Sequence, residues 1–310
     1  MRVRVLGSAA GGGFPQWNCA CPQCSGVRSG VMKASPRTQA QAAISTDGSR
    51  WSLLNASPDL RQQILSSADL VPPAGSRNSP ISAVILTSAD VDAVMGLLHL
   101  REFQPLQIFA TMAVRRILTE ENSLFRVLAR SNPPVKWETL PLDRLMPLLP
   151  PSPADKKSGL FCKAVSLNGS FPDYVSESLR NSLTPEEAVI GLTLVSKEKK
   201  LFYAPNLPGI GDQWLRCVEE SDLALLDGTF WKDDELNSIQ KGSKSARQMG
   251  HLPLWGDRGL LRQPFRPSKT RRVLIHINNT NPVLNDESPE SRIVRDAGWE
   301  IAYDGLEFVI

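Results

Sequence analysis

Ile85-Leu86-Thr87-Ser88-Ala89-Asp90-Val91-Asp92-Ala93-Val94-Met95-Gly96-Leu97-Leu98 opens as an apolar strand, turns through small and acidic residues, and resumes as an apolar helix. Strand-to-helix turns are where α/β proteins place chemistry, because side chains at the C-terminal ends of strands converge on a crevice. Asp90 and Asp92 stand two residues apart in this turn, a starting point for a metal or acid–base site, and no histidine accompanies them.

Outward from this stretch the chain alternates short strands and helices. Val3 and Val5 alternate with Arg2 and Arg4, which predicts a half-exposed first strand. Segments 37–45 and 50–54 read as two strands joined at Asp47-Gly48, a hairpin signal. Helical patterns follow at 60–65, from the opening stretch on to Glu102, and at 114–128, with a short strand at 107–110. The proline-rich stretch 133–153 reads as a surface connection with short strands. Further strands are expected at 161–167, 188–195, 201–204, 223–226 and 273–277, and a closing pair about Asp304-Gly305. Strands in this number, with helices between some and hairpins at both ends, predict two mixed sheets sandwiched between helices. No linker-like stretch divides residues 1–310, so one domain is the economical reading.

Composition narrows the function. With 310 residues, 41% hydrophobic and 22% charged, the chain can bury a full core. A formal charge of +3 is too small to point to nucleic acid or a membrane surface. No apolar run approaches the ~18 residues of a membrane span. The N-terminus begins as a strand without the apolar core of a signal peptide, which predicts a cytoplasmic protein.

Five cysteines are present, and three fall within six positions, Cys19-Ala20-Cys21-Pro22-Gln23-Cys24. Three thiolates at this spacing can converge on one tetrahedral cation, and soft sulfur donors suit zinc. A structural zinc knuckle is therefore expected at 18–26, its fourth ligand coming from a distant residue. Cys162 and Cys217 are isolated on apolar patterns and read as core residues. The preceding loop, Gly7-Ser8-Ala9-Ala10-Gly11-Gly12-Gly13, lacks the G-x-G-x-x-G spacing of a dinucleotide site. Its glycines predict close backbone approach to a ligand or another loop.

Three histidines are available: His99, His251 and His276. His99 lies among leucines and is expected to pack. His251 follows Met249-Gly250 and His276 ends a buried strand, both positions suited to a site, although a lone histidine is more often structural. Asp92, His251 and His276 together supply two imidazoles and one carboxylate, the ligand set of a mononuclear non-haem iron site, with Asp90 as a further carboxylate. From Lys241 to Arg272 there are nine Lys or Arg residues and a single acid, Asp257, either a solvated surface or a basic lip for a carboxylate-rich ligand.

Several stretches resemble the PqqB family of pyrroloquinoline quinone (PQQ) biosynthesis. They include residues 7–19, Asn55-Ala56-Ser57-Pro58-Asp59, Leu201-Phe202-Tyr203-Ala204-Pro205, Asp227-Gly228-Thr229, Met249-Gly250-His251 and His276-Ile277-Asn278-Asn279-Thr280-Asn281-Pro282. The resemblance implies a metallo-β-lactamase-like αββα sandwich with its site at one edge between the sheets. In hydrolases of that fold the turn after this strand reads His-x-His-x-Asp-His and holds two metals. Here those positions are Ser88, Asp90, Asp92 and Ala93, so a dinuclear hydrolase is not expected. PqqB proteins usually keep the last histidine, which is Ala93 here. In related phosphodiesterases the cysteine cluster is closed by a histidine at the position of Asn279, so the fourth zinc ligand is open but expected nearby. The resemblance implies one of two roles. One is Fe2+-dependent, O2-using hydroxylation of the tyrosine ring in a Glu-Tyr precursor derived from the PqqA peptide. The other is carriage of PQQ or its precursor towards the periplasm. Partners would be that small ligand and other PQQ biosynthesis proteins.

Overall fold

The computed structural model describes residues 1–102, 104–130, 135–149, 159–266 and 269–310. The first strands along the chain are β1 (Arg2–Gly7), β2 (Gln41–Ser45), β3 (Trp51–Leu54), β4 (Ile81–Ile85), β5 (Gln107–Ala110) and β6 (Lys136–Thr139). They are followed by β7 (Leu145–Leu149), β8 (Leu160–Ser166), β9 (Ile190–Ser196), β10 (Lys199–Ala204), β11 (Leu223–Asp227), β12 (Arg271–Ile275), β13 (Trp299–Ile301) and β14 (Glu307–Val309). One seven-stranded sheet has the order β14-β1-β2-β3-β4-β5-β6 and the other β13-β12-β11-β10-β9-β8-β7. Each is mixed in the same way. Strands β3 to β6 run parallel beside an antiparallel half, and so do β10 to β13. This is the α/β sandwich of two mixed sheets flanked by helices that the strand pattern predicts.

The parallel strands explain the continuous apolar runs. In β11, Leu223 and Leu225 pack between the sheets, while Ala224 and Leu226 pack under the helices. In β4, Ala83 and Ile85 face one core and Val84 the other. A strand covered on both faces has no polar side to alternate with. The same arrangement positions the site. The C-terminal ends of β3, β4, β10, β11 and β12 lead into Asn55, Thr87-Ser88 with Asp90–Asp92, Pro205–Asn206, Thr229 and His276, all of which line one cavity at the sheet edges.

Three expectations need correction. The closing strands do not pair with each other: β13 lies beside β12 in one sheet and β14 beside β1 in the other. Between them the Asp304 carboxylate accepts hydrogen bonds from the Thr38 N–H (2.6 Å), Thr38 Oγ1 (2.7 Å) and Ser8 Oγ (2.8 Å), which pins the crossover. The helix expected over 114–128 is three pieces: an α-helix Met112–Arg116, a π turn Ile117–Glu121 and a 3-10 run Ser123–Arg130. Asn122 leaves helical geometry between them and bonds back to the Ile117 carbonyl at 2.8 Å. Ile117, Leu118, Phe125 and Leu128 are buried all the same, so the apolar spacing is honoured by changing helix type. The opening helix is likewise one α turn, Val91–Val94, continued by a 3-10 run Met95–Arg101, on which His99 is exposed rather than packed. Cys162 is buried as expected and Cys217 half-buried. The proline-rich connection falls partly outside the described residues. Among those described, no helix is long and apolar enough to cross a membrane.

Candidate metal centres

The opening turn is pinned to its neighbour strand. Asn55, in left-handed conformation at φ 66°, accepts the Thr87 N–H at 2.9 Å, and its Nδ2 donates to Thr87 Oγ1 at 3.0 Å. Ser88 Oγ donates to Asp90 Oδ2 at 2.7 Å, and the Tyr174 hydroxyl donates to the Ala89 carbonyl. The two carboxylates are thereby set apart. Burial, reinforced by the charge of Asp92, raises the pKa of Asp90. Burial also works against ionised Asp92, but the hydrogen bond and charge of His276, and then the charge of His251, outweigh it and hold Asp92 below its usual range.

His276 Nε2 faces Asp92 Oδ2 at 2.8 Å, on the wall of a cavity of about 440 Å³. Behind it lies a network centred on Thr229. The Thr229 hydroxyl oxygen is 2.6 Å from Asp227 Oδ1, 2.8 Å from His276 Nδ1 and 3.1 Å from His251 Nδ1. His251 Nδ1 is also 2.8 Å from Asp227 Oδ2. A hydroxyl carries one proton. Giving it to Asp227 leaves Thr229 to accept Nδ1–H of His276, while Nδ1–H of His251 is given to Asp227. Nε2 of each imidazole is then the atom left for other partners. Facing Asp92 Oδ2, the His276 Nε2 also carries a proton and donates it to that carboxylate. Burial opposes the charged ring, yet the hydrogen bond and charge of Asp92 prevail and raise its pKa. The two rings stack, with centroids 5.3 Å apart and planes 23° apart.

Asp227, His251 and His276 thus form a set whose donor atoms lie within 4.8 Å of one another, with the Thr229 hydroxyl among them. Asp92 stands beside this set, joined to it through His276. The residues are linked in series, Asp92 to His276 to Thr229 to Asp227 and His251, and Asp90 hydrogen bonds to Ser88 rather than to either imidazole. Two ligands ~2.1 Å from one metal and at right angles to each other are ~3 Å apart, so the Asp92–His276 pair fits a cation that replaces the shared proton. Ala93 is buried next to Asp92 and offers no donor. Asp227 and Thr229 were not singled out as site residues by sequence reading. Their signal is nevertheless the one that marked Asp92: a buried strand, Leu223–Asp227, ending in a small polar turn.

The glycine-rich loop closes the pocket. Ala10 N–H donates to the Ile277 carbonyl and Ile277 N–H to the Ser8 carbonyl, both at 2.9 Å. A side chain at Gly11 would sit 3.5 Å from Asp92 Oδ2, in the pocket itself. The expected close approach is therefore to both a loop and the acidic turn.

The cysteines form the second centre. Their sulfurs lie within 4.8 Å of one another, with Cys21 and Cys24 buried. The helix Pro22–Arg28 starts inside the cluster. Backbone N–H groups point at the sulfurs: Gln16 to Cys24 at 3.4 Å, Cys21 to Cys19 at 3.4 Å and Cys24 to Cys21 at 3.5 Å. Buried Asn279 adds Nδ2–H contacts of 3.3 Å to Cys24 and 3.8 Å to Cys21. Burial opposes ionisation of Cys19, but hydrogen bonds from Cys21, Cys24 and Asn279 overcome it and lower its pKa, whereas burial pushes Cys21 up to about 12. Three soft donors with N–H support fit zinc, and the main-chain oxygen of Asn279 lies 3.7 Å from Cys21 Sγ.

The basic stretch divides. Lys244 and Arg247 line a chamber beside the pocket. Arg262 lies over Trp255, Arg272 over Phe265 and Trp299, and Arg271 pairs with Glu300 at 2.9 Å. Much of the charge therefore serves the surface rather than the site.

The Beta-lactamase superfamily domain matches residues 50–277. The coenzyme PQQ synthesis protein B of Pseudomonas paraeruginosa is 41% identical over 308 residues, covering 99% of both chains. The crystal structure of Zn(2+)-bound PqqB from Methylobacterium extorquens superposes with a TM-score of 0.90 at 38% identity, covering all of both chains. A diphosphatase of the PhnP family shares the fold, with a TM-score of 0.59 at 17% identity and coverage of 100% of this chain and 97% of its own. With its two mixed sheets, its cysteine cluster and its Asp-Gly-Thr and Met-Gly-His segments in place, the chain belongs to the PqqB family of PQQ biosynthesis proteins, within the β-lactamase superfamily.

Proposed function

We propose that this member of the PQQ biosynthesis pathway is an iron-dependent oxygenase that hydroxylates the tyrosine ring of the PqqA-derived Glu-Tyr precursor. The observation that carries the reading is the 2.8 Å Asp92–His276 contact on a cavity wall, a proton held between two good metal ligands. Asp92, His276 and the Nε2 of His251 are the residues that would hold Fe2+, with Asp90 as a spare carboxylate. Bound there, the iron would supply open positions for O2 and an electron source for it. The chain's own residues do the rest. Asp227 and Thr229 fix both imidazoles with their Nδ1 atoms inward. A cavity of about 440 Å³ suits a ligand of dipeptide size. The cysteines and the Asn279 region hold the structural zinc, and the protein acts in the cytoplasm as one domain.

Ala93 favours a second reading, a carrier of PQQ or its precursor that has lost its chemistry. Anaerobic titration with ferrous iron, followed by oxygen and the precursor, separates the two. One iron per chain beyond the zinc, and a hydroxylated ring, support the oxygenase. Zinc alone together with quinone binding supports the carrier and ends the oxygenase reading.

A further inference from the structure

The pocket does not end at the acidic turn. A second chamber of about 510 Å³ adjoins it, and Asp90, Val91, Asn206 and Met249 line both. The partition between them is the 3-10 turn Arg247–Met249 with Gly250, whose φ of 80° is the left-handed conformation that suits glycine. This turn delivers His251 to the inner pocket and Arg247 to the outer chamber. It is well tied: His251 N–H donates to the Ala246 carbonyl at 2.9 Å, Gly250 N–H to the Arg247 carbonyl at 3.1 Å, and Arg247 N–H to Asp233 Oδ1 at 2.9 Å.

Two groups on this wall face the chambers without a complementary protein partner, an exposed cation (Arg247) and a buried acceptor (Asn206 Oδ1). Lys244 is matched by Asp173 at 3.1 Å, but the Arg247 guanidinium reaches only the Arg258 carbonyl, at 3.3 Å. Among the described residues no carboxylate lies within ion-pair distance of it. Asn206 Oδ1, where the two chambers meet, is buried and accepts no hydrogen bond. A buried acceptor left unpaired is costly, so a donor is expected to arrive with the ligand.

We propose that the outer chamber is the specificity subsite of this pocket, with Arg247 taking a carboxylate of the ligand and Asn206 Oδ1 taking an N–H. The inference rests on the proposed function only in treating this pocket as the place where the small molecule binds. A guanidinium fork binds a carboxylate through two parallel hydrogen bonds, which orients the ligand as well as holding it. The class of ligand is thus a small molecule bearing at least one carboxylate and one N–H.

The test uses the zinc-loaded full chain, PQQ and its trimethyl ester, and titration calorimetry. PQQ carries three carboxylates and a ring N–H, and the ester keeps the N–H while replacing the three negative charges with neutral methyl esters. Wild type is expected to prefer PQQ over the ester by ~10-fold or more, as for a charge-assisted pair. Arg247→Gln is expected to erase that preference by weakening PQQ only, and Arg247→Lys to restore part of it. Asn206→Leu is expected to weaken both compounds alike, which a folding defect in the arginine variants would not mimic. PQQ affinity of Arg247→Gln within about twofold of wild type overturns the inference, as does a wild type that binds neither compound or does not discriminate. Failure of iron-dependent hydroxylation with the Arg247 effect intact removes the oxygenase reading and leaves the subsite standing.

Discussion

The cysteine knuckle and the Asp92–His276 pocket both gather donor atoms, and they are built in opposite ways. The knuckle draws three donors from six consecutive positions, so a single turn of chain brings them together. The pocket joins Asp92 to His276 across 184 residues, through strand ends in two different sheets. The first carries its geometry locally, and the second exists only when the whole sandwich is closed. Metal affinity in the knuckle should therefore depend on the ligands themselves, and in the pocket on everything behind them.

The sharpest test of that contrast is ligand removal at the knuckle. Cys24→Ser is expected to lose bound zinc and to lower the melting temperature by on the order of 10 °C, since structural metal binding contributes directly to folding. Zinc content by mass spectrometry and a thermal melt check it, and a fully zinc-loaded variant would break the comparison. Next is Ala93→His, which adds the imidazole next to Asp92. Ferrous iron affinity is expected to rise ~10- to 100-fold, and an unchanged affinity would mean the turn is not a metal turn in this chain.

A smaller effect is expected at Thr229, which touches no proposed metal directly. Thr229→Val leaves Asp227 and two ring nitrogens without their shared hydroxyl and should cost ~1–3 kcal/mol in denaturant unfolding. It should also weaken iron binding in the pocket while leaving zinc in the knuckle untouched. Equal losses at both centres would show the effect to be one of general folding.

The smallest effect is expected at Glu235, which hydrogen bonds to Thr280 next to Asn279. Glu235 accepts the Trp231 N–H at 2.6 Å and Thr280 Oγ1 at 2.5 Å, and burial pushes its carboxyl up to about 7. The folded state holds this proton more tightly than the unfolded chain. Its contribution to stability is therefore full below the ordinary glutamate range and is lost as pH rises through about 7. Glu235→Gln should flatten the decline between pH 5 and 8 by on the order of 1 kcal/mol, measured by urea unfolding at several pH values.

The same contrast explains what could be read in advance. Strand ends, the knuckle and the Asp92 turn are legible because apolar runs and close spacings are properties of adjacent residues. The pairing of β13 and β14 with different sheets was not, because it depends on Asp304 meeting Thr38 and Ser8 far back in the chain. His99 reads as a core residue by spacing, yet the switch from α to 3-10 geometry turns it outward. Asp227 was visible as a strand end, but its role needs His251 and Thr229 brought to it in three dimensions. The unmatched charge of Arg247 and the unpaired acceptor of Asn206 leave no mark in a sequence at all.

One segment touches both centres. His276 faces Asp92, and three residues later Asn279 lies against Cys21 and Cys24. The three-residue step between them makes the knuckle an anchor for the imidazole, much as a tent peg sets the line of a pole. A preparation stripped with a chelator would lose the anchor as well as any ion in the pocket. Reconstitution should then depend on order: zinc first, to reset the loop, and ferrous iron only afterwards.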